Sequence, residues 1–407
     1  MNSQIYNFLA ILNAAICKDI CTKDVQLKSP IDWKYLSVQA RRQNLLPIFV
    51  EGATKYNSYQ EYAGYEKDIQ DAMIMVAQQI QKSKAFLDLY MAFLNRGISP
   101  IVIKGIVLRQ LYGSCKEHRV SADEDILVRS EEYTVVSDVL EQEGYRCTRS
   151  MLSKEQIDSM HEITFYNDEK DLCIEVHLNI IGKENSERAY MNDAFENVFE
   201  QTEIMEIDGV PLKVLNPTYS LLFLVLHGFK HLQMGGMGVR QILDILLYKE
   251  AYSNRIKMDE IEEPLKNTHA DLFLRDVLWI GGQYFNLSYE ESSVCCPQEL
   301  LEDIIETGIF GGSEKTDYLA VNIDLALKTV GKGNGKVKAL IAGAFPPKGQ
   351  LIEPYPYLVE KPWLLPVAWI MRFIKFARYA GKDTFGIVNE TLNKVGRREA
   401  ILKKYKI

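Results

Sequence analysis

Two aspartates separated by one residue are the clearest chemical signal in the chain. Asp123 and Asp125 lie in the run SADEDILV, and Ala122–Val128 has the composition of a short strand. Side chains two residues apart on a strand point to the same face, about 6.5–7 Å apart along the chain. The pattern therefore places both carboxylates on one face. Glu124 falls on the opposite face together with Ile126, which we expect to be packed on a core.

A third carboxylate follows on a later strand. The run HEITFYNDEKDLCIEVHL predicts two strands joined by a turn at Asn167–Asp171. In its second strand, Leu172–Leu178, apolar residues occupy every other position, so Glu175 and His177 share the opposite face. If this strand is a neighbour of the first, Glu175 converges with the two aspartates.

Three converging carboxylates require compensation of their charge. Two like charges held about 4 Å apart repel by roughly 4 kcal/mol at an effective dielectric constant of about 20. Such a cluster persists only when some carboxyl groups stay protonated or when a cation binds among them. Hard oxygen ligands of this kind suit Mg²⁺ or Mn²⁺. An Asp-x-Asp tripeptide is also common at solvated strand ends and turns, and that interpretation stays open.

The segments around these residues resemble a known superfamily. The run IVIKGIVLRQLYGSCKEHRVSADEDILV is similar to the opening of nucleotidyltransferases of the DNA polymerase beta type. In particular, it is similar to a bacterial branch in which a Lys-Gly pair follows the first strand and an Arg-x-Ser-x-Asp-x-Asp motif follows the helix. The later segments IEVHLNI and LNPTYSLLFLVLHGFKHLQMGGMGVRQILDI resemble the branch's third acidic strand and its downstream helical region. The resemblance covers residues 97–250.

The resemblance implies a reaction and roles for particular residues. The reaction is transfer of a nucleoside monophosphate from an NTP to an unidentified hydroxyl or phosphate acceptor, with release of pyrophosphate. Asp123, Asp125 and Glu175 would be the catalytic residues and the ligands of Mg²⁺ or Mn²⁺, and Glu175 would help to activate the acceptor. The implied nucleotide-binding residues are Lys104, Gly105, Arg119 and Ser121.

Two positions depart from the superfamily pattern. The usual Gly-Ser pair before the helix is Lys104–Gly105 here, and the middle of the acidic motif, normally apolar, is Glu124. A carboxylate on the core-facing side of a strand is costly unless it is paired with a cation or the strand is a hydrated edge. If that face is buried, replacing Glu124 with Ile is expected to stabilise the fold.

Five further residues could line a substrate cleft, and each has a plainer alternative. His227 and His231 share a helix face, where they could bind zinc, line the nucleotide site or simply pack. Arg240 and Asp244, one turn apart, could form a helix-surface pair or contact the substrate. His177 shares the face of Glu175 and is expected to orient that carboxylate.

The pattern of strands and helices that must position these residues indicates an α+β fold. It has a small mixed β-sheet core between helical N- and C-terminal regions. We expect three parts, at residues 1–95, 96–215 and 216–407. The predicted core elements are a strand, a helical run to Tyr112, a polar loop and a helix that ends at Gly144. Their bounds are Ile98–Ile103 for the strand, Gly113–Ser121 for the loop and Glu131–Glu143 for the helix. The C-terminal helices are expected to begin at Pro217.

Composition and charge limit the location and the partners. A formal charge of −8 argues against a protein that coats nucleic acid through its overall charge. A local basic patch near residues 380–407 could still contact nucleic acid or a membrane surface. No run approaches the ~18 apolar residues of a membrane span, and the N-terminus lacks the basic leader of a signal peptide. Seven cysteines without a CxxC motif predict reduced thiols and a cytoplasmic location. The pattern does not indicate an oligomeric state.

Two rival functions stay open. A metal-dependent glycosyltransferase could use the Asp-x-Asp motif to hold a sugar nucleotide, but it would need a doubly wound α/β domain. A non-catalytic accessory protein could keep the fold and bind a nucleotide or a partner without turnover. The glycine-rich loop Gly331–Lys338 does not match a P-loop, because its spacing is too short and Val337 replaces the Ser or Thr.

Overall fold

A computed structural model of the chain shows the α+β class that the sequence predicts, with helices around one mixed sheet. It describes residues 2–16, 26–147, 162–180, 189–234, 237–287, 294–307, 345, 348–351, 355–358, 361–380 and 397–406. The chain divides into two compact units. One comprises Met1–Phe229 with Val239–Gln298, and the other comprises Lys230–Gly238 with Glu299–Ile407. The three-part division at residues 96 and 216 stays a sequence-based prediction.

Helices precede the sheet, as the three- and four-residue apolar spacing predicts. Asp32 begins the second of them, because its side chain accepts a hydrogen bond from the backbone N–H of Tyr35. The long fifth helix buries Phe86, Tyr90 and Phe93 in the core beneath the sheet. The bounds are α1 Ser3–Ile16, α2 Trp33–Arg42, α3 Leu46–Ala53, α4 Asn57–Gln60 and α5 Tyr65–Asn95.

The sheet of the first unit has seven strands in the order β3-β4-β5-β2-β1-β7-β6. The strand β2 pairs in parallel with β5 and antiparallel with β1, and β1 pairs in parallel with β7. Ile126, Val128, Ile174 and Val176 join one buried cluster, so the predicted core-facing side of both strands is confirmed. The bounds are β1 Ile101–Val102, β2 Asp123–Leu127, β3 Arg146–Cys147, β4 Glu162–Asn167, β5 Leu172–His177, β6 Thr202–Ile207 and β7 Val210–Leu215.

The β6–β7 hairpin is not anticipated by the sequence analysis, although the sequence carries a signal for it. Its two-residue turn is Asp208–Gly209, and both residues have positive φ, at 48° and 81°. An Asp-Gly pair between alternating residues is a strong hairpin signal. The consequence for the site is that β7 supports β1, the strand that leads to Lys104.

The segment between β1 and β2 differs from the prediction. The first strand covers only Ile101–Val102 instead of Ile98–Ile103, and the α-helix that follows, α6, is a single turn at Ile106–Arg109. The expected polar loop is instead mostly a 3-10 helix at Gln110–His118, which bends at Gly113, where φ is 55°. Short apolar and Gly-containing stretches carry too little periodicity to distinguish these forms.

The helix α7 and the helices after the sheet begin and end closer to the predicted positions. Gly144, with φ of 82°, follows α7 and suits the C′ position of a helix end. Pro217 occupies the first turn of the first helix after the sheet. The bounds are α7 Tyr133–Gln142, α8 Pro217–Met234, α9 Val239–Ala251, α10 Met258–Asn267 and α11 Ala270–Tyr284, with further 3-10 turns at Ser130–Glu132, Ala189–Phe195 and Val198–Glu200.

The second unit is helical where it is described. A small cluster buries Leu351, Leu358 and Ala368, while Trp363 is 73% exposed. No helix in the described ranges is both long and apolar enough to cross a membrane. The loop 331–338 and residues 381–396 of the predicted basic patch lie outside the described residues. The bounds are α12 Pro297–Thr307, α13 Lys348–Leu351 and α14 Leu365–Ala380, with 3-10 turns at Pro356–Leu358 and Pro362–Leu364.

Candidate active site

The sheet brings the predicted carboxylates to one face. In the parallel pair β2–β5, Asp125 lies opposite Glu175, and Asp123 lies opposite Cys173. Asp125 is buried, whereas Asp123 and Glu175 are half-buried. The three carboxylates therefore lie on neighbouring strands, on the side of the sheet away from the apolar cluster, and two of them remain accessible.

Lys104 joins this face from the end of β1. The backbone N–H of Ile103 donates to the carbonyl of Asp125 at 3.1 Å, which extends the pairing with β2 to the residue before Lys104. The Nζ atom of Lys104 lies 2.8 Å from Oδ1 of Asp125 and 2.8 Å from Nε2 of His227 on α8. A lysine ammonium can only donate, so Nε2 of His227 is the acceptor. Nothing in the local sequence pattern indicates that His227 and Lys104 meet.

His177 lies between the acidic residues. Its Nε2 atom is 3.0 Å from Oδ1 of Asp125 and 3.7 Å from Oε2 of Glu175, and its Nδ1 atom is 3.9 Å from Oε2 of Glu162. The imidazole therefore bonds most closely to Asp125, whereas the sequence analysis expected it to orient Glu175. Glu162, on β4 opposite His177, is a fourth carboxylate that the sequence analysis missed.

The charges of this group stabilise one another. Burial would raise the pKa of Asp125, but Lys104 and His177 hold that pKa well below its usual range. Burial also opposes charge on the two cations, yet the carboxylates raise the pKa of Lys104 above its ordinary value and that of His177 to about 9. For Glu175, burial and then the nearby carboxylates raise the pKa, although His177 opposes the shift. Both cations are therefore charged at neutral pH, and the Glu175 carboxylate accepts a proton more readily than an ordinary glutamate does.

The donor atoms suit a hard divalent cation. One atom each from Asp125, Glu175 and His177 lies within 4.8 Å of the others, and Asp123 is the next residue of β2 on the same face. Carboxylate oxygens favour Mg²⁺ or Mn²⁺, whereas the imidazole of His177 must lose its proton before it can ligate a metal. Cys173 lies on the same face as these residues. Its thiol stays protonated at neutral pH, because burial and the adjacent carboxylates raise its pKa to about 12.

Glu124 is buried on the core-facing side, but it is not isolated. Its carboxylate pairs with the guanidinium of Arg109, and both side chains are 1% exposed. It also accepts the backbone N–H of Ile106 at 2.7 Å. Of the alternatives that the sequence left open, pairing with a nearby cation is therefore the correct one. The predicted stabilisation of the fold by Ile at this position assumed that the buried carboxylate has no partner. Because the carboxylate is paired, we instead expect the substitution to destabilise the fold.

Gly105 belongs to the same buried contact. Its φ of +61° favours glycine, and a Cβ at this position would lie 1.8 Å from Oε2 of Glu124. The Glu124 side chain occupies the space that a side chain at residue 105 would need. The two positions at which the sequence departs from the pattern that it resembles therefore depend on each other. The first N–H of α6, next to the implied nucleotide-binding pair Lys104–Gly105, is bound by the Glu124 carboxylate.

Ser121 is part of the support beneath the acidic strand. Its hydroxyl accepts a hydrogen bond from Nη1 of Arg109 at 2.8 Å, and its backbone N–H donates to Oε1 of Gln79 at 2.8 Å. Ser121 is 8% exposed. These contacts fasten the residues before Asp123 to α5, and a direct contact of Ser121 with a nucleotide stays a prediction.

Arg119 and Asp244 form a buried pair instead of separate cleft residues. Nε and Nη2 of Arg119 donate to the two oxygens of Asp244 at 2.7 and 2.6 Å, and the hydroxyl of Tyr112 donates to the same carboxylate at 2.8 Å. Of the two alternatives for Arg240, the helix-surface pair with Asp244 does not form, since its Nη1 atom donates to the carbonyl of Val120. Asp244 thus neutralises Arg119, and Arg240 binds the backbone beside the residues that lead into Asp123.

Replacing Asp244 with Asn is expected to lower the free energy of unfolding by about 3 kcal/mol, because it leaves buried Arg119 without a counter-charge. Urea unfolding followed by circular dichroism measures the change. Asp259→Asn, at an exposed position of α10, removes the same charge as a control. A loss for Asp244→Asn no larger than that of the control would contradict the importance of this pair.

The remaining candidate ligands do not extend the site. His231 belongs to the second unit, and neither it nor His227 is in a group of three or more metal-ligating residues within the described ranges. The second such group is Asp276, Cys295 and Cys296. The Asp276 carboxylate accepts the backbone N–H groups of both cysteines at 2.7 and 2.8 Å, so it has a structural role there.

Comparison with known proteins gives one match. A family model described as an uncharacterised nucleotidyltransferase matches residues 29–286. The matched range includes every described strand and the helices α2–α11, and it is more than half of the chain. No curated protein and no solved structure matches the chain.

Proposed function

Because the chain belongs to the family of uncharacterised nucleotidyltransferases, we propose that it transfers a nucleoside monophosphate from an NTP to a hydroxyl or phosphate acceptor, with release of pyrophosphate. The proposal includes the kinship with the DNA polymerase beta type and its bacterial branch that the motifs suggest, and a cytoplasmic location. The acidic face of β2 and β5 is the observation that carries it.

The charge of this face favours a bound divalent cation. Four carboxylates, Asp123, Asp125, Glu162 and Glu175, surround two cations, Lys104 and His177, which leaves a charge of −2 when all are ionised. A divalent cation would neutralise that excess. Asp123, Asp125 and Glu175 are the proposed ligands of Mg²⁺ or Mn²⁺, whereas protonated His177 has no lone pair for a metal and acts as a counter-charge to Asp125. When bound, the metal supplies Lewis-acid stabilisation of charge on the phosphate oxygens.

Positive groups on both sides of the acidic residues would hold the triphosphate. Lys104 is the nearest, at the end of β1. On the side of α9, Arg240 is within electrostatic range of Asp123, and burial and Arg119 lower its pKa. An anionic ligand there would relieve the repulsion between the two guanidinium groups. Arg119 is 3% exposed, so we propose that it acts by positioning Arg240 and the loop before Asp123.

Glu175 is the residue best suited to activate the acceptor. Its raised pKa brings it closer to the operating pH, as efficient general-base catalysis requires. The acceptor oxygen would attack the α-phosphorus, its proton would pass to Glu175, and the bond to pyrophosphate would break on the opposite side. Half-buried Glu175 is accessible to such an acceptor, whereas Asp125 is not.

The two rival functions receive less support. The glycosyltransferase would need a doubly wound parallel sheet, and the mixed sheet of the first unit has antiparallel pairs at β1–β2, β3–β4, β4–β5 and β6–β7. The accessory protein shares the fold and differs only in turnover, so an experiment must separate it from the enzyme.

The proposal is tested by calorimetric binding of each of the four NTPs, with Mg²⁺ or with a chelator present, and by metal-dependent release of pyrophosphate, which separates the enzyme from the accessory protein. We expect one or more NTPs to bind only with Mg²⁺, and we expect Asp123→Asn to abolish that binding. The control is Asp138→Asn, at an exposed position of α7, which should bind as the wild type does. Binding that ignores both Mg²⁺ and Asp123 would contradict the proposal, and the accessory protein would then be the better description.

A further inference from the structure

Lys104 occupies the position that a cation would need at the acidic face. Its ammonium donates to Oδ1 of Asp125 at 2.8 Å, and the same oxygen is 3.0 Å from Nε2 of His177. Oδ1 of Asp125 thus already has two cationic donors. A metal ion that binds this oxygen must displace at least one of them, because like charges at such distances repel strongly.

We propose that Lys104 is a built-in counter-ion of Asp125. When a metal–polyphosphate complex binds, the Lys104 ammonium moves away from Asp125 and binds a phosphate oxygen instead. This inference rests on the proposed function and adds that cation and polyphosphate bind cooperatively. Metal alone must expel the ammonium into solvent, whereas a metal–polyphosphate complex offers the ammonium a new anionic partner. The lysine would therefore weaken the binding of the metal by itself and strengthen the binding of the complex.

The surroundings allow the side chain of Lys104 to move while its backbone stays in place. The Lys104 side chain is 19% exposed, compared with 2% for Asp125. The adjoining backbone is held by the hydrogen bond from the N–H of Ile106 to the Glu124 carboxylate at 2.7 Å, so the change would be confined to the lysine stem. Nε2 of His227 accepts a hydrogen bond from the ammonium on the other side and holds it near the site without adding a competing negative charge.

The test compares two probes, Mn²⁺ alone and a preformed complex of Mn²⁺ with tripolyphosphate, by calorimetry on the full chain. The variants are Lys104→Gln, which retains a hydrogen-bond donor, and Lys104→Met, which does not. Either variant that folds is sufficient. Lys104→Arg keeps the charge, and Lys116→Met removes a charge from a partly exposed lysine that lies 3.8 Å from Asp208.

We expect each neutral variant to bind Mn²⁺ alone about tenfold more tightly than the wild type, and the complex about tenfold more weakly. Lys104→Arg and Lys116→Met should bind Mn²⁺ alone as the wild type does. A purely structural role for Lys104 would weaken both probes together. Neutral variants that bind Mn²⁺ no more tightly than the wild type would overturn the inference.

The outcome is separable from that of the proposed function. Opposite changes for the two probes, without transfer from any NTP, would support the counter-ion role and refute the transferase. Metal-dependent NTP binding that requires Asp123, together with unchanged Mn²⁺ affinity in the neutral Lys104 variants, would refute only the counter-ion role.

Discussion

Replacing Glu124 with Ile is expected to lower the free energy of unfolding by about 3–5 kcal/mol. The substitution removes the carboxylate that pairs with Arg109 and accepts the N–H of Ile106. Because Arg109 is 1% exposed, its guanidinium would remain charged in the interior without a counter-charge. Chemical unfolding in urea, analysed as a two-state transition where the curves permit it, measures the loss.

Two comparisons isolate the cause. Glu206→Ile makes the same substitution at an exposed position of β6 in the same sheet and should change stability by less than about 1 kcal/mol. The double variant Glu124→Ile/Arg109→Met removes both charges and should recover a large part of the loss, since a buried pair can be replaced by apolar residues at little cost. Equal stability of Glu124→Ile and the wild type would show that the pair contributes nothing.

Asp123→Asn and Asp125→Asn are expected to abolish nucleotidyl transfer but to differ in their effect on stability. Loss of either proposed metal ligand should lower the transfer rate by about 10³-fold or more, a size common for charged groups that stabilise a transition state. Asp125 also binds Lys104 and His177 in the interior, so its replacement should lower the free energy of unfolding by about 3 kcal/mol. No hydrogen bond or ion pair links the side chain of Asp123 to another described residue, so its replacement should leave the stability nearly unchanged.

The two variants together separate a catalytic from a structural role. Transfer is measured as pyrophosphate released from the NTP that binds, and unfolding is measured on the same preparations. Asp138→Asn on α7 serves again as the charge control. If Asp123→Asn kept full activity, the acidic face would not be the catalytic site. If Asp125→Asn were as stable as Asp123→Asn, the contacts with Lys104 and His177 would have no energetic value.

The buried contact between Gly105 and Glu124 links the two positions at which the sequence departs from the nucleotidyltransferase pattern that it resembles. A glycine at 105 leaves the space that the Glu124 carboxylate fills, and this carboxylate binds the N–H of Ile106 and the guanidinium of Arg109. The site thus carries an internal anion at the N-terminus of α6. Lys104, Arg240 and the proposed metal are then the groups left to bind phosphate.

Much of the candidate site follows from local patterns in the sequence. The alternation of apolar and polar residues predicts that one face of the sheet carries Asp123, Asp125, Glu175 and His177. The structure confirms that their two strands are paired. The β6–β7 hairpin could have been predicted from Asp208–Gly209. By contrast, the short β1 strand and the 3-10 helix after α6 contain too few residues for periodicity to identify them.

The sequence by itself determined the α+β class, the acidic face and the family resemblance, because strand alternation and short motifs are encoded within a few neighbouring residues. Only the tertiary structure decided which distant side chains meet. Lys104 contacts His227, 123 residues away, and Arg119 pairs with Asp244, 125 residues away. No local period specifies such pairs, since they form when separate helices pack beside the sheet. That packing made Arg119 a buried support, and it placed Lys104 on the carboxylate that is proposed to hold the metal.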